Sequence, residues 1–202
     1  MLTYSAPNAV AQTWNRFSVF AGGGFTPVTG TLGNRLDTGW NVLVGGGYKF
    51  TNRVGANVEF QYHGLGVQNH VLNELQVPNG NAHVWSIGLS PIIMLRPSES
   101  RFSPYVTAGG GYYRRTVEFT EPTSTFINIF DPWWGWIGPV EVPANRVLGR
   151  VSRGGPGFNV GGGFAVRLGE SNTQFFAEAR YHYASTTGAI TRMVPVTLGL
   201  RW

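Results

Sequence analysis

Two short segments hold most of the chemistry that this sequence could perform. Glu59-Phe60-Gln61-Tyr62-His63 is echoed by Glu178-Ala179-Arg180-Tyr181-His182. In each, a carboxylate, a second polar group and a histidine fall at alternate positions, which places all three on one face of a β-strand. Carboxylates and arginine on a shared face suit ion pairing, and the histidines invite a metal reading. The chain has no cysteine, which removes thiolate ligands and disulfides. A second recurrence is Gly-Gly-Gly-aromatic, at Gly22–Phe25, Gly45–Tyr48, Gly109–Tyr112 and Gly161–Phe164. None of these opens a helical pattern or fits a Walker-type loop, so a phosphate cradle is the weaker reading.

The elements that position these groups are strands. Of 202 residues, 29 are glycine, about twice the usual share. Aromatic content of 14% excludes a disordered chain, and so much glycine argues against a helical bundle. No apolar run reaches the roughly 20 residues of a transmembrane helix. Apolar residues alternate instead. Val54, Ala56, Val58, Phe60 and Tyr62 share one face, as do Val194, Val196, Leu198, Leu200 and Trp202. The pattern predicts eight strands, at about 15–26, 39–50, 54–64, 82–96, 103–118, 156–168, 175–184 and 193–202. Short turns at Thr51–Arg53, Pro97–Arg101 and Gly169–Gln174 alternate with the mostly longer connections Thr26–Thr38, Leu65–Asn81, Phe119–Gly155 and Ser185–Arg192. That sorting of loops is typical of an outer-membrane barrel. Residues 15–202 read as one barrel domain, preceded by a 1–14 segment that does not read as an intact signal peptide. The charge is +5, but the basic residues are scattered, so nucleic acid is not an expected partner.

Antiparallel pairing counted back from Thr51–Arg53 sets Gly45 opposite Glu59. The same count at 169–174 sets Gly163 near Arg180 and Gly161 near His182. The glycines then clear space for long polar side chains in a narrow lumen and allow strong bending.

Over almost its full length the chain resembles the eight-strand OmpA/OmpX-type outer-membrane barrels. The resemblance rests on Pro-Tyr-Val-Thr-Ala-Gly-Gly-Gly-Tyr at 104–112, Phe-Ala-Glu-Ala-Arg-Tyr at 176–181 and the ending Val-Thr-Leu-Gly-Leu-Arg-Trp. It implies an all-β, eight-stranded antiparallel up-and-down transmembrane barrel with periplasmic turns and extracellular loops. It also implies contact with outer-membrane lipid and lipopolysaccharide. Leu198, Leu200 and Trp202 would then form the signal read by the barrel-assembly machinery. Pro91 and Pro195 fall inside expected strands, where a bulge or a strand end is anticipated.

Arginine or lysine on a lipid face costs about 2–4 kcal/mol near the midplane, so charges must turn inward or reach a rim. The expected lumen set is Lys49, Glu59, His63, Arg167, Glu178, Arg180, His182 and Arg201. It reads as a salt-bridge plug, or alternatively as a narrow gated pore that conducts when one ion pair swaps partners. His63 and His182 lie on strands three and seven, opposite each other. Two histidines fall short of the roughly four ligands that zinc requires, so no metal or other cofactor is expected. Arg180–Thr186 also resembles the seventh-strand segment of outer-membrane lipid A deacylases. Aligning Ser185, however, puts Tyr183 where the histidine base belongs, and His182 falls on the opposite face. No carboxylate follows, so a catalytic role is not expected.

The segment Phe119–Gly155 stands apart. Phe130, Trp133, Trp134 and Trp136 lie in a stretch too apolar to be merely solvated. It could contact a partner protein or sister subunits, rest on the headgroup layer, or fold over the barrel mouth as a cap. The function expected is structural or interactive. A pore, a lipid-modifying enzyme and a soluble barrel around an apolar ligand are the competitors. The last would invert every face, with Val58 and Leu198 inside and Glu59 outside.

Overall fold

The computed structural model describes residues 16–30, 33–97, 100–131, 133, 135–169, 171–186 and 189–202. The strands are β1 (Phe17–Thr26), β2 (Gly39–Lys49), β3 (Val54–Gly66), β4 (Asn79–Met94), β5 (Phe102–Asp131), β6 (Trp136–Arg167), β7 (Gln174–Thr186), β8 (Ala189–Met193) and β9 (Val196–Arg201). A seven-residue helix, α1 (Asn69–Leu75), lies between β3 and β4. Neighbouring strands pair antiparallel, and the pairings β1–β9 and β6–β7 close the sheet into a ring. β8 and β9 both pair with β7 and act as one wall strand interrupted at Val194-Pro195. The wall therefore has eight strands, and the N-terminal 1–14 segment lies outside the described residues.

The faces sort as hydrocarbon demands. Along β3, Asn57, Glu59, Gln61 and His63 are buried, while Val58 and Phe60 are exposed. Along β7, Gln174, Phe176, Glu178, Arg180 and His182 are buried, and the residues alternating with them face outward. Leu198, Leu200 and Trp202 lie on the outer face. A soluble barrel would have the opposite arrangement.

Pro195 supplies the expected strand end, and Arg180 N–H still donates to its carbonyl at 3.1 Å. Pro91 does not break β4. The β4–β5 ladder skips Ser90 and Pro91 and resumes at Ile92↔Thr107 in unchanged register. The Thr107 hydroxyl donates to the Pro91 carbonyl at 2.9 Å, holding the strands together where the proline has no amide hydrogen.

Gly45 does face Glu59. At the other turn the register differs by two residues: Gly161 faces Arg180 and Gly163 faces Glu178. A two-residue slip keeps every side chain on its face, so the inward set is unaffected. The space cleared by glycine goes to rings as well as to polar stems. A Cβ on Gly45 would stand 2.5 Å from the Phe20 ring, and one on Gly199 would stand 2.6 Å from the Phe176 ring.

Two connections expected as long loops are strand. β7 and β8 are joined through 187–188 alone. β5 and β6 pair continuously from Phe102↔Val166 to Asp131↔Trp136, with one irregularity at Phe119/Thr120. β4 accompanies β5 only as far as Thr120. Beyond it, Glu121–Asp131 and Trp136–Arg146 form a two-stranded ribbon that rises from the wall.

Two apolar layers bracket the lumen. Phe20, Leu43, Ile92, Met94, Tyr105, Ala165 and Phe176 pack at the end with the short turns. At the ribbon end, Leu36 and the α1 residue Leu72 pack onto Leu65, Val67, Ala82, Val84 and Met193. The first two connections thus cover the mouth, and Phe119, at the start of the 119–155 segment, packs against them. Because this cover is held by few side chains, it should open without unfolding the wall. Leu72→Ala, at about 2–4 kcal/mol for the lost burial, should speed proteolytic cleavage within 68–78 more than tenfold. The denaturant midpoint of the barrel should stay unchanged.

Candidate functional site

The polar centre of the lumen is built from opposite walls. Alternation on β3 and β7 points Glu59, Glu178 and Arg180 at the axis. The Arg180 guanidinium is 2% exposed and meets both carboxylates. Its Nη2 donates to Glu59 Oε1 at 2.9 Å and to Glu178 Oε2 at 2.8 Å. Its Nη1 donates to Glu59 Oε2, and Nε pairs with Glu178 Oε1 at 2.6 Å. Tyr105 Oη donates to Glu178 Oε2 at 3.0 Å, and Ser90 Oγ donates to Glu59 Oε2 at 3.3 Å. A buried ion is tolerated when partners of this kind surround it.

Arg201 is held differently. Its guanidinium carbon stands 5.3 Å from the Phe20 ring centre, 5.8 Å from that of Phe176 and 5.9 Å from that of Tyr105, distances that suit cation–π attraction. Arg201, Lys49 and residues of the 51–55 turn line a cavity of about 20 Å³ at the turn end. Lys49 and Arg167 are half-buried at the ends of β2 and β6. The eight residues expected in the lumen therefore separate by depth: Glu59, Glu178 and Arg180 make one cluster, and Lys49, Arg167 and Arg201 lie towards the turns.

His63 and His182 form the layer above the ion cluster. Their ring centres are 6.2 Å apart. His63 Nδ1 is 2.9 Å from Thr26 Oγ1, and His182 Nδ1 is 2.9 Å from Tyr113 Oη. Asn41 Nδ2 donates to Thr26 Oγ1 at 3.1 Å. Thr197 Oγ1 donates to Asn41 Oδ1 at 2.9 Å and links this layer to β9. Among the described residues no group of three or more histidine, aspartate or glutamate side chains could hold a metal ion. Glu59, Gln61, Tyr113, Asn159 and His182 line a pocket of about 10 Å³, room for about one water.

Sequence reasoning did not pick out Thr26, Asn41, Ser90, Tyr105, Tyr113 or Thr197. The available signal was parity, because Tyr105, Thr107 and Tyr113 share one face of β5. Ser185 lies on the exposed face of β7 while His182 points into the lumen, so β7 does not bring the two together.

On the ribbon, Phe126, Phe130 and Trp133 are 69%, 60% and 90% exposed. Trp134 and the Trp136 side chain lie outside the described residues. At the chain's end, Trp202 N–H donates to the Val19 carbonyl at 2.9 Å and its carbonyl accepts from Val19 N–H at 3.1 Å. The last residue thus closes the seam with β1.

Removing the shared cation should be the most damaging change in the lumen. Arg180→Met leaves two buried carboxylates without their partner and should lower stability by about 3–5 kcal/mol. Glu59→Gln keeps one carboxylate on Arg180 and should cost about 1–3 kcal/mol. Denaturant titration of the barrel refolded into lipid vesicles distinguishes the two.

Residues 1–201 match the family model described as outer membrane protein beta-barrel domain. No curated protein matches the chain. Among solved structures, Neisserial surface protein A is similar at 18% identity and a TM-score of 0.60, over 92% of this chain and 95% of that one. A major outer membrane protein from Thermus thermophilus is similar at 12% identity and a TM-score of 0.59, over 93% and 98%. The attachment invasion locus protein Ail of Yersinia pestis, in complex with the heparin analogue sucrose octasulfate, is similar at 16% identity and a TM-score of 0.54, over 93% and 99%. The likeness to these structures is one of fold, and the match of nearly every residue to the family model settles the membership: the chain belongs to the outer-membrane β-barrel domain family and is a protein of the bacterial outer membrane.

Proposed function

We propose that the barrel is an anchor and that the chain works by surface contact, made chiefly by the β5–β6 ribbon with a partner or a sister subunit. The observation that carries this reading is the exposure of Phe126, Phe130 and Trp133 on a ribbon lifted clear of the wall. Exposed aromatic clusters of this kind mark contact surfaces, and tryptophan is enriched where binding energy concentrates. In this reading Phe130, Trp133, Trp134 and Trp136 make the contact, and the role is not catalytic. The ion cluster keeps the lumen closed. Leu198, Leu200 and Trp202 serve recognition by the assembly machinery before the seam closes.

A gated pore is the second reading, favoured by the cluster in which two carboxylates share Arg180. Planar-bilayer recording separates the two. The anchor reading expects no unitary conductance, and a conductance abolished by Glu59→Gln or Glu178→Gln would establish the pore.

The pairing Thr120↔Val147 allows a direct test of the contact. Replacing 121–146 with Asn-Gly joins the strands through a two-residue hairpin turn. The shortened barrel should still fold, as shown by heat-modifiable migration on gels. Cells displaying it should bind target cells or one another at least tenfold less than cells with the full chain. Unchanged binding would overturn the proposal.

A further inference from the structure

Surface contact leaves the partner's chemistry open, and the ribbon's composition narrows it. From Pro122 to Val140 the chain carries one charge, Asp131, and no lysine or arginine. Nine of these nineteen residues are phenylalanine, isoleucine, tryptophan or valine. The apolar surface lies on both sides of the ribbon: Phe126 and Phe130 share one face, Ile127 lies on the other, and all three are exposed. A protein docked on a two-stranded ribbon covers one face and leaves the opposite apolar face in water. A lipid interface surrounds both.

Four further features fix the kind of lipid surface. Eleven residues, Glu121–Asp131, extend past the last pairing with β4, a reach of about 35 Å at the strand rise. The tip therefore stands well beyond the rim of the wall at β4. Tryptophan favours the boundary between headgroup and acyl chain. The ribbon's open edges keep unpaired peptide groups, which forbid deep insertion and restrict it to that boundary. Attraction to anionic lipid needs basic residues, and the tip has none.

We propose that the β5–β6 tip, through Phe126, Ile127, Phe130 and Trp133, is a docking surface for the zwitterionic interface of a second, apposed phospholipid bilayer. This names the partner of the contact proposed above and rests on that reading.

The chain has no cysteine, so Thr125→Cys accepts a single environment-sensitive NBD label beside Phe126. The labelled barrel, held in lipid nanodiscs, is mixed with phosphatidylcholine vesicles carrying brominated acyl chains. NBD emission should rise, shift to the blue and be quenched by bromine. Co-flotation with the vesicles should be unchanged between about 0.05 and 0.5 M salt, since no charge pair is involved. The triple variant Phe126→Ser, Phe130→Ser, Trp133→Ser should migrate as a folded barrel and bind vesicles about a hundredfold more weakly. The proposal fails if the label ignores phosphatidylcholine, if it responds only to anionic vesicles in a salt-sensitive way, or if the triple variant binds as tightly as the parent. If vesicles are ignored while the ribbon-shortened barrel loses cell contact, surface contact stands and a protein partner replaces the bilayer. If shortening leaves cell contact intact, surface contact itself falls.

Discussion

Neither a charge nor an unpaired peptide group finds a solvent inside hydrocarbon, and this constraint arranges the molecule. Peptide groups are satisfied by closing the sheet, so β1 must find β9 and β6 must find β7. Charges are satisfied by turning inward, which strand alternation permits at every second residue. The narrow interior that results cannot solvate ions freely, so each must have neighbours inside the wall. The glycines follow from the same crowding. Small residues face Phe20 and Phe176 because those rings fill the turn end of the lumen.

The internal repeat becomes intelligible at the ion cluster. Both copies point a glutamate and a histidine at the axis, but the residue between them differs, Gln61 on β3 and Arg180 on β7. An identical repeat with glutamine twice would bury two carboxylates and no arginine in this layer. With arginine twice, two guanidinium groups would compete for one narrow space. One arginine serves both carboxylates because the strands face each other across the axis. The same arginine ties opposite walls of the barrel. Among the described residues Arg201 brings the buried guanidinium groups to two, equal to the buried carboxylates, and aromatic faces hold it at a different depth.

The wall is legible in the sequence because alternation is a strong signal where one face meets lipid. Parity alone places Glu59, His63, Glu178, Arg180, His182 and Arg201 inside, and all six are buried. Parity does not fix register, so the pairing near 169–174 lies two residues from the expected one. Parity also sets Tyr105 and Tyr113 on the face of Thr107, but tyrosine by its chemistry suits lipid as well as lumen, which hides both. The mouth is harder still. Leu36 and Leu72 share their connections with other apolar residues, such as Val28, Val71 and Leu75, and nothing local says which of them meet. The 119–155 segment resists reading as strand for a different reason. With both faces exposed and prolines at Pro122, Pro139 and Pro143, its strands lack the alternation that a half-buried sheet imposes, although they pair throughout apart from the irregularity at Phe119/Thr120.

That last feature bears on how the ribbon holds its shape. A two-stranded ribbon with no core is marginal in water by itself. Here it continues the hydrogen-bonded register of β5 and β6, whose lower halves the wall fixes. Order is thus templated from below, and it weakens towards the tip because each added pair brings a backbone bond but no burial. The barrel contributes more than attachment: it supplies the register that a free hairpin would lack. A surface covering the tip would supply the burial the ribbon lacks and reinforce its order from the other end. Rigidity in the lumen and apolar exposure above it are consequently linked. The sealed wall sets the ribbon's register, and the ribbon carries large apolar side chains far from the membrane in which its base is held.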